Sequence, residues 1–136
     1  MAYTDIDKPS DYFNTKLYTG NGSTNAITGV GFQPDWVWIK DRTTSEASHK
    51  VYDAVRGTTK YLAPNNTGAE ATESGVTAFG SDGFTLGSAG GTNGNGISFV
   101  SWNWKAGTAF TNDASSTSVG TIDSAGSSNQ EAGFSI

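Results

Sequence analysis

The chain has 136 residues, a length that predicts one domain able to bury its own core. It has 8 Lys and Arg and 13 Asp and Glu, which gives a net charge of −5. This charge and the lack of a basic patch argue against a protein that binds nucleic acid. The absence of cysteine excludes disulfides and thiolate metal sites, and there is neither an apolar leader typical of a signal peptide nor an apolar run long enough to span a membrane.

The composition favours strands over helices. Glycine accounts for 18 residues, and Ser, Thr and Asn are plentiful, which is typical of short strands joined by many turns. Aromatic residues make up 12 % of the chain, so the region from residue 12 to residue 110 has the large side chains that a disordered segment lacks.

The N-terminal part begins with a polar stretch, residues 1–12, which predicts an arm. Phe13–Thr19 then alternates apolar and polar side chains, the pattern of a strand. Gly20–Ser23 follows, and its Asn-Gly pair is favoured in type I′ turns. We therefore predict a hairpin that leads into a short strand at Asn25–Thr28, with a loop at Gly29–Pro34.

All four tryptophans fall in two segments, Pro34–Lys40 and Ile97–Trp104. Side chains alternate in both segments with period two, and large side chains occupy both faces. We predict two neighbouring central strands that are at least partly buried on both faces. The residues expected to form the core scaffold are Trp36, Trp38, Phe99, Trp102 and Trp104.

The remaining segments continue this pattern. We predict strands at residues 49–55 and 60–62, one helical turn at 69–74, a hairpin of 75–79 with 83–86, and a flexible loop at 87–96. Weak strand signals follow at Val119–Ile122 and Ala132–Ile136. The predicted divisions are an arm at 1–12, a β-sandwich at 13–110 and a Ser/Thr-rich segment at 111–136, whose edge strands could join the sandwich. Short strands without βαβ alternation predict an all-β, antiparallel sandwich or jelly roll.

No cluster of residues indicates a catalytic chemistry. His49 is the single histidine, no Gly-x-Ser-x-Gly elbow is present, and Asp35 and Asp41 sit at opposite ends of one predicted strand. Asp113 and Asp123 lie in a region rich in Asp and Asn, but without the pattern of an EF-hand. We therefore predict no enzyme activity, no metal site and no cofactor.

Ligand binding is the function that remains. Aromatic rings stack on the apolar faces of sugars, and amide groups bind sugar hydroxyls. Core packing is the simpler interpretation of each tryptophan, although Trp36 and Trp104 could also serve as platforms. We expect a site in the loops at 41–48, 64–74 and 87–96. The candidate ligand-binding residues are Tyr52, Tyr61, Asn65 and Asn93.

Four segments in order resemble virion proteins of marine tailed phages. They are Tyr18–Ser23, Phe32–Arg42, Val51–Gly57 and Ser98–Gly107, and the resemblance covers about residues 13–110. The chain is similar to the repeated β-sandwich module of tail-fibre and other appendage proteins, in phages that infect cyanobacteria and other marine bacteria. The resemblance implies a concanavalin-like or SPRY-like jelly roll.

The resemblance also implies a function. We expect a virion structural protein, made in the host cytoplasm, whose module attaches the particle to glycans of the host surface. The alternative is a head-decoration or fibre-attachment protein that stabilises the particle without binding a ligand. The expected partners are other virion proteins and further copies of this chain, with trimers the common state of fibres, and neither nucleic acid nor a membrane is expected.

Overall fold

The computed structural model describes residues 8–44 and 47–136, and these form twelve strands and two four-residue helices. The strands are β1 (Phe13–Thr19), β2 (Asn25–Ile27), β3 (Trp36–Asp41), β4 (Lys50–Asp53), β5 (Lys60–Tyr61), β6 (Ala71–Thr72), β7 (Val76–Gly80), β8 (Gly83–Leu86), β9 (Ser98–Trp104), β10 (Thr108–Asn112), β11 (Ser124–Asn129) and β12 (Phe134–Ser135). The helices are α1 (Gly90–Asn93) and α2 (Ala114–Thr117), and a 3-10 turn spans Pro9–Asp11. Among these residues, no helix is long and apolar enough to cross a bilayer.

The largest sheet has the order β1-β9-β3-β4 and is antiparallel throughout. β9 lies beside β3, with Trp104 opposite Trp36 and Trp102 opposite Trp38. This confirms the prediction that the two tryptophan-rich segments are neighbouring central strands. An isolated bridge between Val51 and Leu62 connects β4 to the short β5–β6 pair.

A second antiparallel sheet, β2-β8-β7, shares one hydrophobic core with the first. The core cluster contains Ile27, Val37, Ile39, Tyr52, Val76, Phe84, Leu86 and Phe99. Tyr18 packs at its margin and stacks on Phe99 with ring centroids 5.3 Å apart. Burying a side chain of this size contributes roughly 1.5–3 kcal/mol, so the cluster is the main source of stability.

The C-terminal strands form a third antiparallel sheet, β10-β11-β12. Its central strand β11 consists of small residues, and at Gly126 a Cβ atom would lie 2.5 Å from Cζ of Phe110. Phe134, at the start of β12, contacts the tryptophans of the large sheet. The third sheet therefore packs against the face of the large sheet that points away from the shared core.

The structure confirms the predicted fold class, all-β with antiparallel sheets, and two sheets on one core are consistent with a β-sandwich. The finer expectation of a concanavalin-like or SPRY-like jelly roll stays a prediction.

Several local predictions are wrong. Gly20–Ser23 is not a hairpin, because β1 pairs with β9 and β2 pairs with β8, so the segment crosses from one sheet to the other. Residues 69–74 hold β6 and not a helical turn, because Ala71 and Thr72 complete a pairing with β5. Val119–Ile122 is not a strand, and the strands of that region, β10 and β11, flank it.

Candidate functional site

Alternation in β3 and β9 places their tryptophans on the outer face of the large sheet, opposite the core. Trp38 and Trp102 are cross-strand neighbours, with centroids 6.1 Å apart and ring planes at 76°. We call Trp36, Trp38, Trp102 and Trp104 together the tryptophan face; all four are half-buried.

One end of the tryptophan face is covered. The ring of Phe134 stacks on Trp104 at 5.9 Å and 21°, and it meets Trp36 edge-on at 6.4 Å. The ring centroid of Phe13, from β1, lies 4.8 Å from that of Trp104. A cavity of about 450 Å³ lies beside this cluster, between Pro9 and Tyr12 on one side and the residues around Phe134 on the other.

The other end of the face is open. A cavity of about 340 Å³ is lined by Trp38, His49, Trp102 and Trp104. Its lining is apolar, and its walls are mostly indole rings. Indole rings set at steep angles to one another offer both faces and edges to a ligand, so the cavity suits an apolar or ring-shaped group.

His49 is fixed at the margin of the open cavity by a tryptophan. The indole Nε1–H of Trp38 donates to Nδ1 of His49 at 2.9 Å, and the two rings meet edge-on. Burial lowers the pKa of His49, and the charge of Lys40 lowers it further. Because Nδ1 accepts a hydrogen bond, the imidazole is neutral and carries its proton on Nε2.

Charged groups border the face. The carboxylate of Asp53, buried opposite Trp36, is paired with the guanidinium of Arg56. Lys40 follows Trp38 by two residues in β3 and donates from Nζ to the carbonyl of Ala47 at 3.1 Å. Asp53 is buried beside Trp36 at the covered end, out of reach of a ligand in the open cavity, and Lys40 is half-buried towards the other end of β3.

Comparison with known proteins places the chain in a family. The profile of the family described as Domain of unknown function (DUF7483) matches residues 8–136. The chain belongs to this family. No curated protein and no solved structure matches this DUF7483 domain.

Two predicted ligand-binding residues of the DUF7483 domain are buried, and their assignment is wrong. Tyr52 lies in the core, and its hydroxyl donates to Oε1 of Glu73 at 2.5 Å. Burial and the neighbouring Glu73 raise the pKa of Tyr52, so the phenol stays protonated. The alternation of β4 turns Tyr52 inward, opposite Val37, and leaves its ring no access to a ligand.

Asn93 is the second of these residues, and it connects three loops. Its Nδ2 lies 2.5 Å from the carbonyl oxygen of Ser23, 2.7 Å from that of Gly87 and 3.1 Å from Oδ1 of Asn21, and these three acceptors share its two N–H donors. Its Oδ1 accepts from the backbone N–H of Asn21 and from the side chain of Asn25, each at 3.0 Å. With its hydrogen bonds used inside the protein, Asn93 is a structural residue.

Tyr61 and Asn65 are reachable, but they do not form one site. Tyr61 is half-buried, and Nζ of Lys50 lies 3.5 Å from its ring centroid, so a cation already occupies one side of the ring. Asn65 is exposed, and its Oδ1 accepts from the backbone N–H of His49 at 3.0 Å. Asn65 therefore adjoins the margin of the open cavity, whereas Tyr61 packs against the core cluster on the other side of the sheet.

Two of the three loops expected to carry a site are tied to the scaffold where the structure describes them, whereas residues 64–70 of the loop at 64–74 are exposed. In the loop at 41–48, of which Ser45 and Glu46 lie outside the described residues, the carboxylate of Asp41 accepts from Thr43 and Thr44. Burial opposes ionisation of Asp41, but these hydrogen bonds outweigh it and lower its pKa. In the loop at 87–96, Thr92 and Asn93 are buried.

The core-scaffold prediction holds for Phe99, which is buried in the core cluster. It is wrong for Trp36, Trp38, Trp102 and Trp104, which lie on the opposite face. Because large apolar side chains occur in both rows of β3 and β9, alternation alone does not tell which row the second sheet covers. The half-buried rings of the tryptophan face are therefore accessible where the third sheet does not cover them.

The acidic residues considered for calcium do not converge. Across the described ranges, 8–44 and 47–136, no three His, Asp or Glu side chains are grouped as metal ligands. Asp113 accepts from the hydroxyl of Ser115 and from the N–H groups of Ser116 and Ser115, and these bonds lower its pKa. Asp123 accepts from the N–H of Ala114. Both carboxylates thus anchor α2.

Proposed function

We propose that the chain is a non-enzymatic binding module of a phage virion appendage and that its tryptophan face holds a glycan of the host surface. The observation that carries the proposal is the open apolar cavity between Trp38, His49, Trp102 and Trp104. Sugar rings have apolar faces that stack on indole rings, and polar groups at a rim can bind their hydroxyls.

The polar rim supports a sugar over a purely apolar ligand. The neutral imidazole of His49 keeps an Nε2–H donor, and Asn65 lies next to it in space. The phage context rests on the resemblance of four segments to appendage modules of marine tailed phages.

A glycan array tests the proposal, followed by titration calorimetry with the sugars that bind. We expect Trp102→Ala to weaken binding at least tenfold, about 1.4 kcal/mol, because one of the three indole rings that line the open cavity is lost. Phe110→Ala is the matched control, since it removes a ring that is 47 % exposed on the third sheet. Equal affinity of Trp102→Ala and the parent protein would contradict the proposal.

A second candidate function is head decoration or fibre attachment. The observation that favours it is the contact of Phe134 with Trp36 and Trp104, which shows that the tryptophan face accepts an apolar side chain of a protein. In that case a neighbouring virion protein would fill the open cavity. Immunolabelling of intact particles distinguishes head decoration from adhesion, because decoration predicts label on the head and adhesion predicts label on the tail appendages. Depolymerisation of a host polysaccharide by the pure protein would contradict both.

A further inference from the structure

The edge of the large sheet formed by β1 lacks a partner strand within the described residues. β1 pairs with β9 alone, whereas the far side of β4 is bridged through Leu62. β1 has seven residues, as long as the central β9. A long edge strand with free N–H and C=O groups is a template for pairing with another chain.

The direction of these backbone groups follows from the register. Gly20 donates to the carbonyl of Ile97, and Lys105 donates to that of Tyr12, so the even-numbered residues of β1 bond to β9. The N–H and C=O groups of Phe13, Thr15 and Leu17 therefore point away from the sheet. Within the described residues, 8–44 and 47–136, no side chain forms a hydrogen bond with the backbone of these three residues.

The side chains on the same edge are apolar and exposed. Phe13 is 37 % exposed and Leu17 is 62 % exposed, and both lie on the outer face with Thr15 between them. Exposed apolar side chains beside free backbone groups are a liability in a monomer, because they favour association.

We propose that two copies of this chain pair through β1 in antiparallel orientation, with the two-fold axis at Thr15. In this register Phe13 faces Leu17 of the second copy and Leu17 faces Phe13 of the second copy, so the symmetry forms this apolar contact twice and covers all four exposed side chains. Thr15 faces Thr15, and their backbones exchange both hydrogen bonds. The large sheets join into one sheet of eight strands.

Other registers that match the same backbone groups are poorer. An axis at Lys16 places two ammonium groups directly opposite each other, which is destabilising. An axis at Leu17 sets Phe13 against Asn21, beyond the end of the strand. With the axis at Thr15, Lys16 faces the amide side chain of Asn14, which can accept a hydrogen bond from an ammonium group.

The dimer joins the outer faces of both copies along β1, which brings the two tryptophan faces onto one surface. The pairing does not depend on the proposed function, because it follows from the edge strand alone. A dimer without glycan affinity, or glycan affinity in a monomer, would separate the two proposals.

Sedimentation equilibrium over a range of concentrations tests the pairing. We expect a species of twice the chain mass of 14.1 kDa. Leu17→Lys should weaken the dimer roughly 10- to 100-fold, because both leucines lose their apolar contact. Val119→Lys is the matched control, at a side chain that is 65 % exposed away from β1, and it should leave the dimer unchanged.

A cysteine at the axis tests the register, because the chain has no cysteine of its own. Under oxidation Thr15→Cys should crosslink into a covalent dimer, since facing residues of a hydrogen-bonded pair are about 5.5 Å apart at Cα. Thr77→Cys, on the exposed strand β7, is the control and should not crosslink.

Three results would overturn the proposal. They are a monomer at all concentrations, a dimer that Leu17→Lys leaves intact, and a full-length monomer that dimerises only when residues 2–7 are deleted. In the last case the N-terminal residues, and not a second copy, would occupy the edge of β1.

Discussion

At the scale of single residues, Asn93 replaces backbone pairing where three loops meet. Its amide satisfies groups of Asn21, Ser23 and Gly87 that no strand reaches. We expect Asn93→Ala to lower the free energy of unfolding by about 3 kcal/mol, because buried acceptors lose their donor. Urea unfolding followed by tryptophan fluorescence measures this value.

The control for this prediction is Asn95→Ala, two residues further on and exposed. Its effect should stay within about 0.5 kcal/mol. A loss below about 1 kcal/mol for Asn93→Ala would mean that water replaces the amide without cost, contrary to the structural role given to Asn93.

His49 makes stability depend on pH near neutrality. Its folded-state pKa lies below the ordinary 6.5, so the unfolded chain binds a proton more readily. The contribution of neutral His49 is therefore complete above pH 6.5 and is lost as the pH falls from 6.5 towards the folded-state pKa. We expect the unfolding midpoint in urea to decrease between about pH 7.5 and pH 5.5.

This pH dependence can be assigned without ambiguity, because His49 is the single histidine of the chain. His49→Gln should flatten the profile in this window. If the parent protein and His49→Gln show the same slope, the hydrogen bond from Trp38 does not hold the imidazole neutral.

At the scale of elements, β12 is attached to the tryptophan face mainly through one ring. Phe134 contacts both Trp104 and Trp36. We expect Phe134→Ala to lower the free energy of unfolding by about 1–2 kcal/mol and to shift tryptophan emission to longer wavelength, because two indoles gain water contact. Ile122→Ala, at an exposed side chain, should change neither. An unchanged emission maximum would show that β12 does not cover the face in solution.

The elements differ in how far the sequence predicts them. β1, β3 and β9 follow from strict alternation of large side chains. β10 and β11 do not, because Ser, Ala and Gly give no hydrophobic period, and β11 needs small residues where Gly126 meets Phe110. The Asn-Gly pair predicts a hairpin that does not form, because the turn at Gly22 connects a strand of one sheet to a strand of the other.

The candidate site was harder to predict than the fold. Tyr52 and Asn93 have the chemical groups that bind a sugar. Tyr52 lies on the inward face of β4 and bonds to Glu73, and the hydrogen bonds of Asn93 are made to neighbouring loops. The sequence favours a core position for Trp38 and Trp102, because each strand has large apolar side chains on both faces and alternation does not tell which face the second sheet covers. Asn65 lies beside the face that the structure leaves open, and Trp104, also considered as a platform, lines the open cavity.

At the scale of the whole molecule, one sheet separates two environments. Its inner face builds the core with β2, β7 and β8, and its outer face is divided between a part covered by the third sheet and an open part. The core therefore lies on one side of these strands, and the proposed binding surface is the open part of the other side. A change in the open part should affect binding far more than folding.

The indole N–H signals of the four tryptophans provide the most direct test of this division. Each gives one resonance in a nitrogen–proton correlation spectrum, and each can be assigned by substitution. On titration with a glycan that binds on the array, the signals of Trp38 and Trp102 should shift, and that of Trp36, beneath Phe134, should stay nearly constant. Binding that leaves all four indole signals unchanged and shifts backbone signals of residues 64–74 or 87–96 would contradict the assignment of the tryptophan face as the binding site.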